Sequence, residues 1–364
     1  MQIYPVAEAR VAAASGSAEK IGSFRSLLLE YLFAFDQKEP VQPVNSTCAR
    51  PVLEAPECVQ NYPLVFNDTR PTPAKIGMAI QFGLEVDTLW IALEQYYGLV
   101  DKVFIIESSR AHRAHTKKPI VWDRIKNTPR FFKFSSMVVH LLVDDVPLAV
   151  DTGNIWELEQ YQERVRWEKF LDWNNQVGYF GDDDLIGFGD VDEVPSLEAL
   201  NHLKHCQIKP EVQSIDIGIW FPMGTIKHAF RPDFPVDGEH GFTLGDPTFF
   251  TVQSAKEFAV HAAPNRLRGA SAHSLIGGMH MSNYVYLPVW YTKLLTCSEC
   301  PGLDYVLNRL EEIVNAESLE KLEEEEFFKS WDGWKGRMTT VDQLDETNKQ
   351  AVKIPWFLEC NLHL

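Results

Sequence analysis

Several things are scarce in this chain of 364 residues, and each scarcity removes a class of function. Basic residues are outnumbered, with 34 Lys and Arg against 51 Asp and Glu for a net charge of −17. So acidic a body is a poor partner for nucleic acid. Long apolar runs are missing: the most hydrophobic early stretch, Leu27 to Phe35, is short and contains Glu30, so no membrane anchor is visible. Residues 1–23 have no apolar centre and make a poor signal peptide. The cysteines are too few for a disulfide scaffold. Of the six, Cys297 and Cys300 form a lone C-x-x-C with no second pair, which argues against a zinc site. Internal repeats and heptads are absent, which excludes solenoids and coiled coils.

A hydrophobic content of 45% supports a large core. Residues 1–74 read as an extension, with Pro40, Pro43, Pro51, Pro56, Pro63, Pro71 and Pro73 giving its second half a stem-like texture. Cys48 and Cys58 are placed to close a small loop within it. The sequons Asn45-Ser46-Thr47 and Asn67-Asp68-Thr69, with the even cysteine count, suggest secretory passage.

From Lys75 to the C-terminus the pattern becomes one α/β domain, 75–364. Ile76–Phe82, Lys102–Glu107, Met137–Val143 and Leu185–Phe188 have the length and apolarity of buried strands. Helical stretches at Thr88–Tyr97 and Ile155–Leu171 separate them. This alternation predicts a mainly parallel, Rossmann-like sheet flanked by helices. Val212–Phe221 is a further strand, Leu303–Ser330 a helix, and Gly277 to Tyr284 a turn or strand around one histidine.

The stretch Asp190-Val191-Asp192-Glu193-Val194-Pro195-Ser196 follows a strand and precedes a helix for which Ser196 is a suitable cap. In open α/β sheets ligands bind at that edge. Two carboxylates flanking one residue suit Mg²⁺ or Mn²⁺ shared with a diphosphate, hence metal-assisted transfer from a nucleotide-activated donor. Asp182 and Asp184 have the same spacing but read as a solvated turn.

The ordered motifs resemble glycosyltransferase family 17, the β-1,4-mannosyl-glycoprotein N-acetylglucosaminyltransferases. Similar stretches are Val86-Asp87-Thr88-Leu89, Val100 through Ser108, the basic loop Arg110 to Pro119, Val143-Asp144-Asp145-Val146-Pro147, Trp156 to Gln162, Asp190 through Pro195, and Gly278-Met279-His280-Met281-Ser282. Trp90, Ala92 and Met279 depart from the family pattern. The resemblance implies a GT-A-type nucleotide-sugar-binding fold, UDP-GlcNAc as donor, a divalent metal (Mn²⁺ or Mg²⁺), a mannose-containing N-glycan acceptor, inversion at the anomeric carbon, and the Golgi lumen.

Candidate metal ligands are therefore Asp190, Asp192 and His280. Glu107, Arg110, Lys117, Asp144, Asp145 and Asp190 are candidates for the nucleotide and diphosphate. Each has an ordinary alternative: a capped loop for Glu107, Asp144 and Asp145, a solvated basic loop for Arg110 and Lys117, a core histidine for His280. Candidates for the general base are Glu193, Glu239 and Asp237. A degenerate, non-catalytic binding protein and a transferase using another nucleotide sugar are the alternative functions.

Overall fold

The computed structural model describes residues 49–110, 119–143, 157–223, 225–233, 235–267, 272–281 and 337–360. The helix expected over Leu303–Ser330 and the pair Cys297 and Cys300 lie outside them, as does most of the extension.

In chain order the strands are β1 (Phe66–Thr69), β2 (Ile76–Gln81), β3 (Lys102–Glu107), β4 (Val138–Leu142), β5 (Leu185–Asp190), β6 (Glu193–Pro195), β7 (Cys206–Ile208), β8 (Ile215–Trp220), β9 (Pro222–Met223), β10 (Thr225–Phe230), β11 (Thr243–Thr251), β12 (Ser274–His280) and β13 (Met338–Thr340). The principal helices are α1 (Val86–Tyr96), α2 (Glu157–Val177), α3 (Leu197–His205) and α4 (Val252–Phe258).

Eight strands form the central sheet in the order β4-β3-β2-β5-β11-β8-β12-β6. The half from β4 to β5 is parallel throughout. Beyond it the sheet is mixed, so the expectation of a parallel sheet holds throughout only for that half. β11 runs antiparallel to both β5 and β8, β12 is parallel to β8, and β6 is antiparallel to β12. The apolar strand pattern alone carries no directional information for these later strands.

Strand alternation sorts the parallel half into two core layers. Ile76, Met78 and Ile80 of β2 face α1 and α3, packing with Leu89, Leu93, Tyr96, Leu200 and Leu203. Ala79, Phe104, Ile106, Ile186 and Phe188 face α2 and α4, packing with Trp167, Phe170, Val252 and Ala255. Helices on both faces bury β2, β3 and β5 almost throughout, which is why those strands read as continuous apolar runs.

The part of the extension that is described is fastened to this body. The disulfide expected within it, Cys48 to Cys58, is replaced by Cys58–Cys206, which spans 148 residues. Neighbouring cysteines in sequence looked like a loop closure, but β1 pairs antiparallel with β7 and brings Cys206 beside Cys58 instead. Tyr62 adds an edge-on contact with His202, centroids 5.1 Å apart. Asn67 of the second sequon is exposed on β1.

Candidate active site

The parallel strands β2, β3 and β5 all end at one edge of the sheet, and their last residues are Gln81, Glu107 and Asp190. In register, Gln81 lies directly beside Asp190. The chain then turns sharply. Val191 N–H donates to the Gln81 carbonyl (3.1 Å), Glu193 starts β6, and Ser196 Oγ accepts from Ala199 N–H (3.1 Å) to cap α3, as its sequence position suggested. Gly189 is required within this turn, because a Cβ there would approach Pro247 Cβ to 2.8 Å and Glu193 Oε2 to 3.0 Å. The absent side chain lets the Glu193 carboxylate fold back and accept from Asp190 N–H (2.8 Å).

β12 delivers His280 to the same place. Gly278, with φ of +149°, lies so close to β6 that a Cβ would meet Val194 O at 2.6 Å and Pro195 Cα at 2.9 Å. That close approach pairs His280 with Glu193 in register. Met281 N–H donates to the Asp192 carbonyl (2.7 Å), and the His280 ring stacks on Phe221 with centroids 4.5 Å apart. His280 Nε2 stands 3.9 Å from Glu193 Oε1.

At the centre of the cluster is a residue the sequence did not single out. Arg266 is 3% exposed at its side chain and contacts Asp190 Oδ2 (2.7 Å), Glu193 Oε1 (2.8 Å), Glu163 Oε1 (2.7 Å) and Glu159 Oε1 (3.4 Å). Arg166 lies beneath it, fully buried, donating to the Gly189 carbonyl (3.0 Å) and to Asn265. Glu159, Glu163 and Arg166 fall at helical spacing on one face of α2, and that charged stripe was the available clue. Nothing local marks Arg266, because its partners come from β5, β6 and α2.

The electrostatics follow from burial and these contacts. Burial acts to raise the Glu163 carboxyl, but Arg266, Arg166 and the bonds from Arg266 and Asn265 outweigh it and bring the pKa to about 2. For Glu193 burial wins. Opposed by Arg266 and assisted by Asp190 and Asp192, it raises that carboxyl to about 7. Burial also opposes the charge on Arg266, yet Asp190, Glu193, Glu163 and Asp246 hold the guanidinium well above its ordinary pKa.

The remaining candidates are dispersed. Glu107 is engaged by the fold: its oxygens accept from Val121 N–H (2.5 Å) and Trp122 N–H (3.2 Å), and His140 Nε2 is 3.1 Å away. Arg110 is at the end of the β3 loop, its N–H bonded to Ser108 Oγ (3.1 Å). Lys117, Asp144 and Asp145 lie outside the described residues. Asp237 and Glu239 occupy the turn leading into β11, at the same sheet edge. Asp237 accepts from the Glu239 and His240 N–H groups (2.8 and 2.7 Å) and pairs with His240 Nδ1 (2.9 Å). Burial tends to raise the Asp237 carboxyl, but the His240 contacts hold it below its ordinary value. Glu239 is exposed.

A divalent ion serving a diphosphate takes one or two protein carboxylates and completes its shell from the phosphates and water. Asp190 fits that limited role: Arg266 holds Oδ2, while Oδ1 is buried with no hydrogen-bond partner among the described residues. Asp192 is adjacent and 1% exposed. Among the described residues no three His, Cys, Asp or Glu side chains gather in a metal-holding group.

Residues 57–220 fit the family model described as Glycosyltransferase family 17. That stretch runs from just before Cys58 to the end of β8 and includes Gln81, Glu163, Arg166, Asp190, Asp192 and Glu193; Arg266 and His280 lie beyond it. No curated protein matches the chain significantly.

Proposed function

We propose, from the match of residues 57–220 to glycosyltransferase family 17, an inverting N-acetylglucosaminyltransferase that uses UDP-GlcNAc and a mannose-containing N-glycan. The fold is then of GT-A type, with the nucleotide at the carboxyl ends of β2 and β5. The observation that carries this reading is the state of Asp190. It ends a central parallel strand, one carboxylate oxygen is fixed by Arg266, and the other is buried without a partner among the described residues. A bound group is the simplest occupant for such an oxygen.

Asp190 and Asp192 would hold Mn²⁺ or Mg²⁺, which when bound supplies charge neutralisation at the departing diphosphate. The protein groups supply orientation. Glu193, with one oxygen on Arg266 and the other on Asp190 N–H, fixes the turn that carries both aspartates. Its engagement on both oxygens makes it an orienting group. Deprotonation of the acceptor hydroxyl is assigned to Glu239, the exposed carboxylate on the turn before β11.

Trp90, Ala92 and Met279 are core residues: Trp90 packs on Phe357 (4.6 Å) and under Arg130 (4.2 Å), and Ala92 and Met279 are fully buried. Their side chains pack in the core, which favours a working transferase over a degenerate binder. The Cys58–Cys206 disulfide and exposed Asn67 favour an oxidising secretory compartment such as the Golgi lumen. Among the described residues no helix is long and apolar enough to cross a membrane.

The test is UDP release from a panel of UDP-sugars with Mn²⁺, with EDTA and with Asp190→Asn and Asp192→Asn variants. Release confined to UDP-GlcNAc and lost in all three controls is expected. Release that persists with EDTA and in both variants overturns the site. Preference for a different UDP-sugar overturns the donor while leaving the transferase class standing.

A further inference from the structure

One polar side chain at this edge has no hydrogen-bond partner among the described residues. Gln81 is 7% exposed, and neither its amide nitrogen nor its amide oxygen has a hydrogen-bond partner among the described residues. An amide left in that state is costly, and native proteins rarely tolerate it without a purpose. Its place in the sheet is informative. Ala79 and Phe188, two residues before Gln81 and Asp190, lie in the core layer under α2, and alternation puts Gln81 and Asp190 on that same face. They are paired in register on strands about 4.8 Å apart, and Asp190 Oδ1 is likewise buried with no hydrogen-bond partner among the described residues.

The unsatisfied atoms define a ligand chemistry. Asp190 Oδ1 accepts only, Gln81 Nε2 donates twice, and Gln81 Oε1 accepts. A phosphate offers acceptors alone and leaves Gln81 Oε1 without a donor. Two hydroxyls on adjacent carbons engage all three: one donates to the lone pair of Asp190 Oδ1 that a bound metal leaves open while accepting from Gln81 Nε2, and its neighbour donates to Gln81 Oε1. We propose that Gln81 is a substrate-reading residue that, beside Asp190, binds a vicinal hydroxyl pair of the nucleotide sugar. Gln81 has this role only if the site takes a nucleotide sugar, as proposed above.

Ribose and the transferred sugar both carry such a pair, and calorimetric titration of the full chain separates them. The probes are UDP, 2′-deoxy-UDP and UDP-GlcNAc with Mn²⁺, against wild type and Gln81→Met. If the ribose is held, wild type prefers UDP over 2′-deoxy-UDP by about tenfold, and Gln81→Met lowers UDP affinity until that preference approaches one. If the sugar is held, the variant keeps the ribose preference and loses the advantage of UDP-GlcNAc over UDP. Gln81→Glu, which keeps an acceptor but adds charge beside Asp190, weakens the same arm further. Wild-type affinities for all three ligands in folded Gln81→Met overturn the role of Gln81 alone. A wild type that binds none of them overturns the nucleotide-sugar reading itself and Gln81 with it.

Discussion

Two neighbouring pairs of strands end at the same edge of one sheet, and the polar residues at their ends have opposite fates. At the outer pair, β3 and β4, Glu107 accepts from two backbone N–H groups and lies 3.1 Å from His140. Its carboxylate closes the chain around residues 121–125. At the inner pair, β2 and β5, Gln81 has no partner among the described residues and Asp190 keeps one oxygen without one. A carboxylate at a strand end is therefore not a site by position. What distinguishes the two ends is which atoms the surrounding fold has already engaged.

The inner end can afford an unengaged oxygen because Arg266 holds the rest of the cluster, so the sharpest way to break the comparison is to remove it. Arg266→Ala leaves Asp190, Glu193 and Glu163 buried without their shared cation. A loss of about 3–5 kcal/mol in urea unfolding is expected, with Asp190 no longer fixed for UDP. A loss below 1 kcal/mol in unfolding would mean that the carboxylates have other compensation and that the inner end does not depend on Arg266.

The next effect is read in pH. The Glu163 pKa is about 2, against an ordinary 4.5. A depressed carboxylate stabilises the fold above its unfolded pKa, and that contribution disappears as pH falls from 4.5 through 2. The displacement is worth about 3 kcal/mol. Glu163→Gln should lower stability at neutral pH and flatten this acid limb of the curve. An unchanged limb would show that Glu163 does not carry the pairing.

A more modest pair of substitutions sharpens the contrast itself. Glu107→Gln puts an amide among donors and should cost about 1–3 kcal/mol in unfolding with UDP affinity retained. Asp190→Asn should unfold closer to wild type but lower turnover at least about a hundredfold. Interchanged outcomes would put the site at β3.

Much of this arrangement was legible in the chain. The apolar runs at Ile76, Lys102 and Leu185 announced buried strands, and Ser196 announced its helix, because those signals are local. Asp190 and Asp192 could be placed at a strand end for the same reason. Arg266 was silent, since an arginine in a loop has no periodicity and its partners lie about 75 to 105 residues away. The Cys58–Cys206 bond was hidden likewise, and the direction of β11 was set by pairing between strands, which the pattern within one strand does not encode. Glu107 looked as promising as Asp190, because its difference resides in Val121, Trp122 and His140.

The smallest expected effect bears most directly on the inner end, and it needs no ligand. Replacing an amide that bonds to something buried removes a favourable interaction and strands its partner, so stability falls. Replacing an amide that bonds to nothing removes only the penalty of having desolvated it, and an apolar side chain of similar length fills the same space. Gln81→Met in the ligand-free protein should therefore unfold at the wild-type denaturant midpoint or above it, by up to about 1 kcal/mol. At Glu107 a comparable removal of polar capacity must cost stability, since donors there are left without an acceptor. If Gln81→Met instead loses more than about 1 kcal/mol, the amide has a partner in the fold, the inner end is as closed as the outer one, and a substrate hydroxyl is no longer needed to account for it.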